Sequence, residues 1–462
     1  MSAMDLPNYF LADLPPEAEL TPVLIGSACE SLKRNREKYL ARRTTGEIVA
    51  VLCEVAADWL KPENPFRKLA LEWGPEATKF SRPVLERGLD GFFRRLTPEN
   101  FQALLALELG DCAAAADEPW RAPDAAVAPG ESEPVERCWR GPDLLVHVAA
   151  GNLPNPALMS LTLGLLTRSA QFMKCASGAS FLPRLFAHAV YAADHKLGAC
   201  LELAEWGGGN ADLEQALFAD ADCVTVTGAD ETLAAVRSRV PAKARFLGYG
   251  QRVSFGMIAR EALRRETVAE LVARVADDVI TWDQNGCLSP HAFYVEERGE
   301  VESDEFAALL AEELRRREAA EPRGDMSLEA YAGVSSRRAI YETLAACRGD
   351  VKIWHSGDST AWTVVFEHEA RFHFSPLNRF VFVKPVADLT AVFTGVDELK
   401  GKVSTVGVAA PPERRRRLAR ELARWGATRI CPPGRMQEPP LTWRHDGRPA
   451  LGDLVTWTDL EI

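Results

Sequence analysis

From Leu144 onward, short apolar runs and helix-spaced segments take turns, and no other feature restricts the fold of this chain as much. Leu144 to Val148 suits a buried strand, Pro156 to Leu166 a helix, Gln171 to Cys175 a second strand and Ser180 to His195 a second helix. Cys223 to Val226 and Ala244 to Leu247 read as further strands, with a helix over Asp230 to Val236 between them. Strands separated by helices need crossover connections, so the alternation implies an α/β fold with a parallel sheet. Ligands of such sheets collect beyond the carboxyl ends of the strands. The loops after Val148, Cys175 and Val226 are therefore the ones to inspect.

Each carries suggestive chemistry. Ala149-Ala150-Gly151-Asn152-Leu153-Pro154 offers the Asn152 amide, which can donate to a developing oxyanion or cap a turn. Lys174, at a strand end, puts an ammonium where ribose or phosphate would lie, unless it is a plain surface lysine. Thr227-Gly228-Ala229-Asp230 precedes a helix whose first N–H groups suit a pyrophosphate. No GxGxxG is present, so the standard dinucleotide fingerprint is missing.

A second focus is Trp282-Asp283-Gln284-Asn285-Gly286-Cys287-Leu288-Ser289-Pro290-His291. Thr267 and Glu270 have capping-box spacing, and Val268, Leu271, Val272, Val275 and Val279 follow at helical intervals. Ala292 to Val295 reads as a strand. Cys287, on the connection and beside Gly286, is a nucleophile candidate, the alternative being a buried packing cysteine. His291 is close enough in sequence to move a proton, or it packs at the strand start.

Around these, residues 1–112 read as helical, with segments over Glu30 to Leu40, Glu47 to Leu60 and Pro98 to Leu109, and carry no evident chemistry. Residues 113–141, with Pro119, Pro123, Pro129 and Pro134 among acids, read as a linker or oligomerisation element. Helices are expected over Ser303 to Arg317, Arg337 to Ala346 and Glu413 to Trp425, and strands over Thr360 to Phe366 and Phe380 to Val383. The tail after Gly434 lacks periodicity and reads as an arm packed on a neighbour. A net charge of -12 disfavours nucleic acid and anionic membranes as partners. There is no apolar run of membrane-span length and no signal-peptide pattern at the start. Ten scattered cysteines without CxxC or zinc-ligand spacing suit a reduced cytoplasm and predict no metal site.

Taken in order, the motifs resemble the aldehyde dehydrogenase superfamily and, within it, the long-chain acyl-CoA reductases of the LuxC family. The resemblance rests on Ala150-Gly151-Asn152-Leu153-Pro154, Asp283 to Pro290, Arg429-Ile430, Gly434-Arg435-Met436 and His445-Asp446-Gly447, with Tyr39 to Arg43 in the helical lead-in. It implies a doubly wound parallel-sheet cofactor domain over 142–258, an α/β catalytic domain over 259–434, a C-terminal arm over 435–462 and a homo-oligomer. It also implies Cys287 as nucleophile and Asn152 with the Cys287 N–H as oxyanion hole. Lys174 and Ser177 would lie at the adenosine ribose, and Thr227 and Gly228 at the pyrophosphate. The implied reaction is NADPH-dependent reduction of an acyl-CoA or acyl-carrier thioester to aldehyde, with an acyl-activating synthetase as partner and NADH as the alternative reductant. Two departures stand out. Gly248-Tyr249-Gly250-Gln251-Arg252 lacks the water-activating carboxylate of hydrolytic relatives, and Phe372 replaces the Glu that holds the nicotinamide ribose. Ser177 stands where NAD-preferring relatives often have Glu, which leaves room for a 2′-phosphate. An oxidative aldehyde dehydrogenase and a non-reducing acyl-binding partner are the competing readings.

Overall fold

A computed structural model describes residues 6–15, 17–110, 117 and 136–460. Five helices open it: Pro22–Tyr39, Thr45–Trp59, Pro65–Thr78, Arg82–Phe93 and Pro98–Leu109. Proline at the first or second position of four of them costs no helical hydrogen bond there. Thr21, Thr44, Asn64 and Thr97 accept from N–H groups of the first turns. The expected helix over Pro98–Leu109 forms with those bounds, whereas Pro65–Thr78 and Arg82–Phe93 were not anticipated. Pro75 inside the former interrupts its periodicity.

The strands are β1 Glu136–Arg140, β2 Leu144–Val148, β3 Ala170–Cys175, β4 Leu201–Glu205, β5 Cys223–Thr227, β6 Arg245–Tyr249 and β7 Val253–Ile258. They continue with β8 Pro290–Glu296, β9 Val351–His355, β10 Thr363–Glu367, β11 Phe380–Val386, β12 Val403–Ala409, β13 Arg429–Cys431 and β14 Thr456–Leu460. A five-stranded parallel sheet runs β4-β3-β2-β5-β6. Helix Asn155–Leu166 links β2 to β3, and β2 and β3 are buried along their whole length, as a sheet covered on both faces requires. A seven-stranded sheet runs β13-β12-β7-β8-β11-β10-β9, parallel except for β9 at its edge. The change of sheet falls between Tyr249 and Val253, so β7 joins the second sheet ahead of the boundary expected at 258.

Most of the 113–141 stretch lies outside the described residues. Its end is β1, which pairs antiparallel with β14 from the tail. The arm thus packs on its own chain, with Met436, Leu441, Leu451, Leu454 and Val455 buried. The helical N-terminal region does more than coat the molecule. Asn35 donates to the Ala199 carbonyl and Arg36 to that of Arg168, fixing it to the five-stranded sheet. Gly88 lies so close to Trp282 that an added Cβ would meet the indole at 2.1 Å, so this layer also braces the loop before Cys287. No helix among the described residues is long and apolar enough to cross a membrane.

Candidate active site

The approach to Cys287 is held in an unusual backbone. Trp282, Asp283 and Gln284 have φ of 55°, 49° and 63°, and in a facing loop Leu377, Asn378 and Arg379 have 64°, 57° and 63°. Left-handed residues other than glycine persist only where their surroundings enforce them. Here the Arg379 guanidinium grips Asp283 Oδ1 at 2.7–2.8 Å, both side chains almost wholly buried. The Gly324 N–H donates to Asp283 Oδ2, and Gln284 Nε2 donates to the carbonyls of Pro290 and Phe380. Gly286 N–H donates to Ser289 Oγ, which also receives Gln437 Nε2 from the arm. Ser254 Oγ donates to the Cys287 carbonyl at 2.7 Å. The sequence placed the cysteine on a connection. The capping box expected at Thr267 does not form, because the Thr267 side chain makes no cap hydrogen bond.

Cys287 is a free thiol, half-buried, and reached through a cavity. Burial pushes its pKa up to about 12, and the charge of Asp446 adds to that. The Cys287 N–H, the Ser404 hydroxyl and Arg252 act in the opposite direction. At rest, then, the sulfur carries its proton. Asn152 reaches the same loop from the other domain, its Nδ2 donating to the Asn285 carbonyl at 2.9 Å. Asn152 thus contacts the Cys287 loop two residues ahead of the sulfur-bearing residue.

The cavity runs from Cys287 and Leu288 along helix Asn155–Leu166, past Leu153, Met159 and Leu163, to His147 and Thr225 on the sheet. Phe92 of the N-terminal layer and Pro440, Leu441 and Trp443 of the arm close its other side. Its walls are therefore mostly apolar, with a polar end. Gln171 Nε2 donates to the Leu161 carbonyl, so Gln171 Oε1 is an acceptor for His147 Nε2–H. The other imidazole nitrogen accordingly accepts from Thr225 Oγ1 at 2.6 Å. Burial lowers the His147 pKa to about 4, which keeps that ring neutral.

At the strand ends of the five-stranded sheet, Lys174 is buried beside Trp206, and its ammonium makes no hydrogen bond among the described residues. Burial lowers its pKa, offset by Glu214 and Glu205. An unpaired cation there fits a nucleotide ribose or phosphate. Ser177 is exposed beside it. Glu205 Oε1 accepts from the neighbouring Gly178 N–H at 2.6 Å, so a carboxylate does reach this loop, delivered by β4. At the third loop, the Gly228 N–H is taken by the Tyr249 carbonyl. The unpaired first-turn amides of helix Asp230–Arg237, just after Thr227 and Gly228, remain for a phosphate.

His291 is placed elsewhere than expected. Its Nδ1 accepts from the Ser375 N–H, its ring packs against Phe372 and Phe374, and burial lowers its pKa to about 4. It does not line the cavity that holds Cys287. His445 does, and sequence reasoning assigned it no role. The motif His445-Asp446-Gly447 was the available signal, but nothing in its spacing shows where the arm brings it.

This arrangement of a parallel nucleotide-type sheet, a second sheet carrying a cysteine loop and an interposed asparagine is that of the aldehyde dehydrogenase fold. The NAD-dependent benzaldehyde dehydrogenase from Corynebacterium glutamicum superposes with a TM-score of 0.67 at 12% identity, covering 96% of this chain and 91% of that one. Within that class the chain belongs to the acyl-CoA reductase (LuxC) family, whose pattern it matches over residues 40–457. Long-chain acyl-protein thioester reductase 2 of Photobacterium leiognathi is 23% identical over 322 residues, and the long-chain acyl-protein thioester reductase of Aliivibrio fischeri is 25% identical over 322. In both cases 68% of this chain is matched, and it spans 63% of the relative's length.

Proposed function

We propose that the chain reduces a long-chain acyl thioester to the aldehyde through an acyl group carried on Cys287. The observation that carries this reading is the position of Cys287 in the wall of a mostly apolar cavity, with the Asn152 amide tied to the loop two residues before it. The Cys287 sulfur attacks the thioester carbonyl. The carbon–sulfur bond to the carrier breaks, the carrier leaves as thiol and the acyl group stays on Cys287. Asn152 and the Cys287 N–H donate to the oxyanion, while the apolar walls take the hydrocarbon chain. A reduced nicotinamide nucleotide, when bound, supplies hydride to the acyl carbon. The bond to Cys287 then breaks, releasing aldehyde and a Cys287 thiolate, which takes up one proton from solvent. The stretch Gly248 to Arg252 offers no carboxylate to activate water, which favours reduction over hydrolysis.

Lys174, Ser177 and the first turn of helix Asp230–Arg237 would hold the nucleotide. The free Lys174 ammonium is what a purely acyl-holding protein would not need. NADPH is the proposed reductant, because Ser177 leaves space for a 2′-phosphate. NADH is the second reading, favoured by the Glu205 carboxylate at Gly178. The names of the relatives support a protein-bound acyl donor beside acyl-CoA. The test is aldehyde formation from long-chain acyl-CoA and from an acylated carrier protein, with each nucleotide. Cys287→Ala should abolish it, and undiminished turnover would rule out the covalent route.

A further inference from the structure

Two features of the arm have no part in the scheme above. Asp446 has φ 53° and is followed by Gly447 with φ 77°, a tight turn that points the carboxylate inward. Its side chain is 4% exposed, and both oxygens are buried without a hydrogen-bond partner. Orphaned buried carboxylate oxygens are costly and call for an explanation. The nearest cations are Arg252, at 3.4 Å, and His445, whose Nε2 is 3.9 Å from Oδ1. His445 lines the cavity with Cys287. Its ring stacks on Tyr249 at 4.7 Å and 10°, and Trp443 packs on it at 4.7 Å. Neither of its nitrogens makes a hydrogen bond among the described residues. Burial lowers its pKa, and the charge of Asp446 acts against that.

These contacts fall on the stretch that lacks the carboxylate of hydrolytic relatives: Tyr249 and Arg252 are the residues that His445 and Asp446 touch. We propose that the arm supplies a base for the thiol instead of one for water, with His445 taking the proton of Cys287 and Asp446 positioning and charge-balancing His445. During acyl transfer the S–H proton moves to His445 as the sulfur–carbonyl bond forms, then to the departing carrier sulfur as its bond breaks, so no external base is consumed. Sealed from solvent, Asp446 has no water to activate. The charged and titratable groups facing the pair are Arg252 and Tyr249, Arg448 over the Tyr249 ring at 5.5 Å, and Cys287.

This inference rests on the acyl-thioester reading, and one experiment separates them. The rate of acyl attachment to Cys287 from a long-chain acyl-CoA is followed by protein mass, without nucleotide, from pH 5 to 10. If the wild-type chain is not acylated, the reductase reading itself fails. If it is, His445→Gln should slow acylation by about 10²–10⁴-fold and abolish its dependence on the imidazole. Asp446→Asn should slow it less and shift the acidic limb of the pH profile to lower pH, because an imidazolium loses its counter-ion. Asp446→Glu should restore the limb. Acylation within a few-fold of wild type and an unmoved profile in a folded His445→Gln variant would overturn the proposal. Should that variant fail to melt cooperatively, an unmoved limb in Asp446→Asn would do so.

Discussion

The loop that carries Cys287 and the end of the five-stranded sheet that would hold a nucleotide are built on opposite principles. The first is buried, left-handed over three successive residues, and pinned by a charge pair, a glutamine and two serines. The second opens to solvent at Ser177, Gly178 and Gly207 to Gly209, and the ammonium of the buried Lys174 beneath it lies over Trp206 without a hydrogen bond among the described residues. Reacting atoms must be held to fractions of an ångström, whereas a ligand that enters and leaves at every turnover needs an open rim. The difference says where each mutation should act: on stability and acyl transfer at the first region, on nucleotide affinity alone at the second.

The contrast is broken most severely at Arg379. Arg379→Met leaves Asp283 buried without its counter-ion, and denaturant unfolding should show a loss of about 3–5 kcal/mol. A loss of about 1 kcal/mol or less, as for a surface pair, would mean the clasp does not hold the loop. Next, Asn152→Ala removes one oxyanion donor and should slow acyl transfer by about 10²–10³-fold while nucleotide binding stays as it was. Lys174→Met should do the reverse. Calorimetry should find nucleotide binding weaker by about 1.5–3 kcal/mol, the worth of a charged hydrogen bond, with the rate of acyl transfer unaltered. The smallest effect is expected at Glu205. Glu205→Gln removes a carboxylate beside the ribose loop and should raise NADPH affinity by about threefold relative to NADH, in line with a screened single charge. An unchanged ratio would move the 2′ position away from Glu205.

The parts of the fold that could be read in the sequence are those governed by local pattern. β2 and helix Pro98–Leu109 form with the expected bounds, because an uninterrupted apolar run and a three-to-four spacing depend on little beyond themselves. β12 was missed since Gly407 and two hydroxyl residues dilute its apolar run, and β4 since Glu202 and Glu205 alternate with leucine and alanine. Among the candidate site residues, Asn152 and Lys174 were suggested by the loops and ends of parallel strands, and Cys287 by its connection beside Gly286. Glu205 and the pair His445 and Asp446 could not be found this way, because each reaches its place through contacts far apart in the chain. His291 shows the opposite error: near Cys287 in sequence, it is turned into an aromatic pocket by the pleat of β8.

The central claim is that Cys287 accepts an acyl group from a thioester before any reductant is needed. Mixing the protein with a long-chain acyl-CoA in the absence of nucleotide, followed by peptide mapping, tests it most directly. The account predicts one acyl group on the peptide bearing Cys287; no adduct, or one confined to the exposed Cys347, would contradict it.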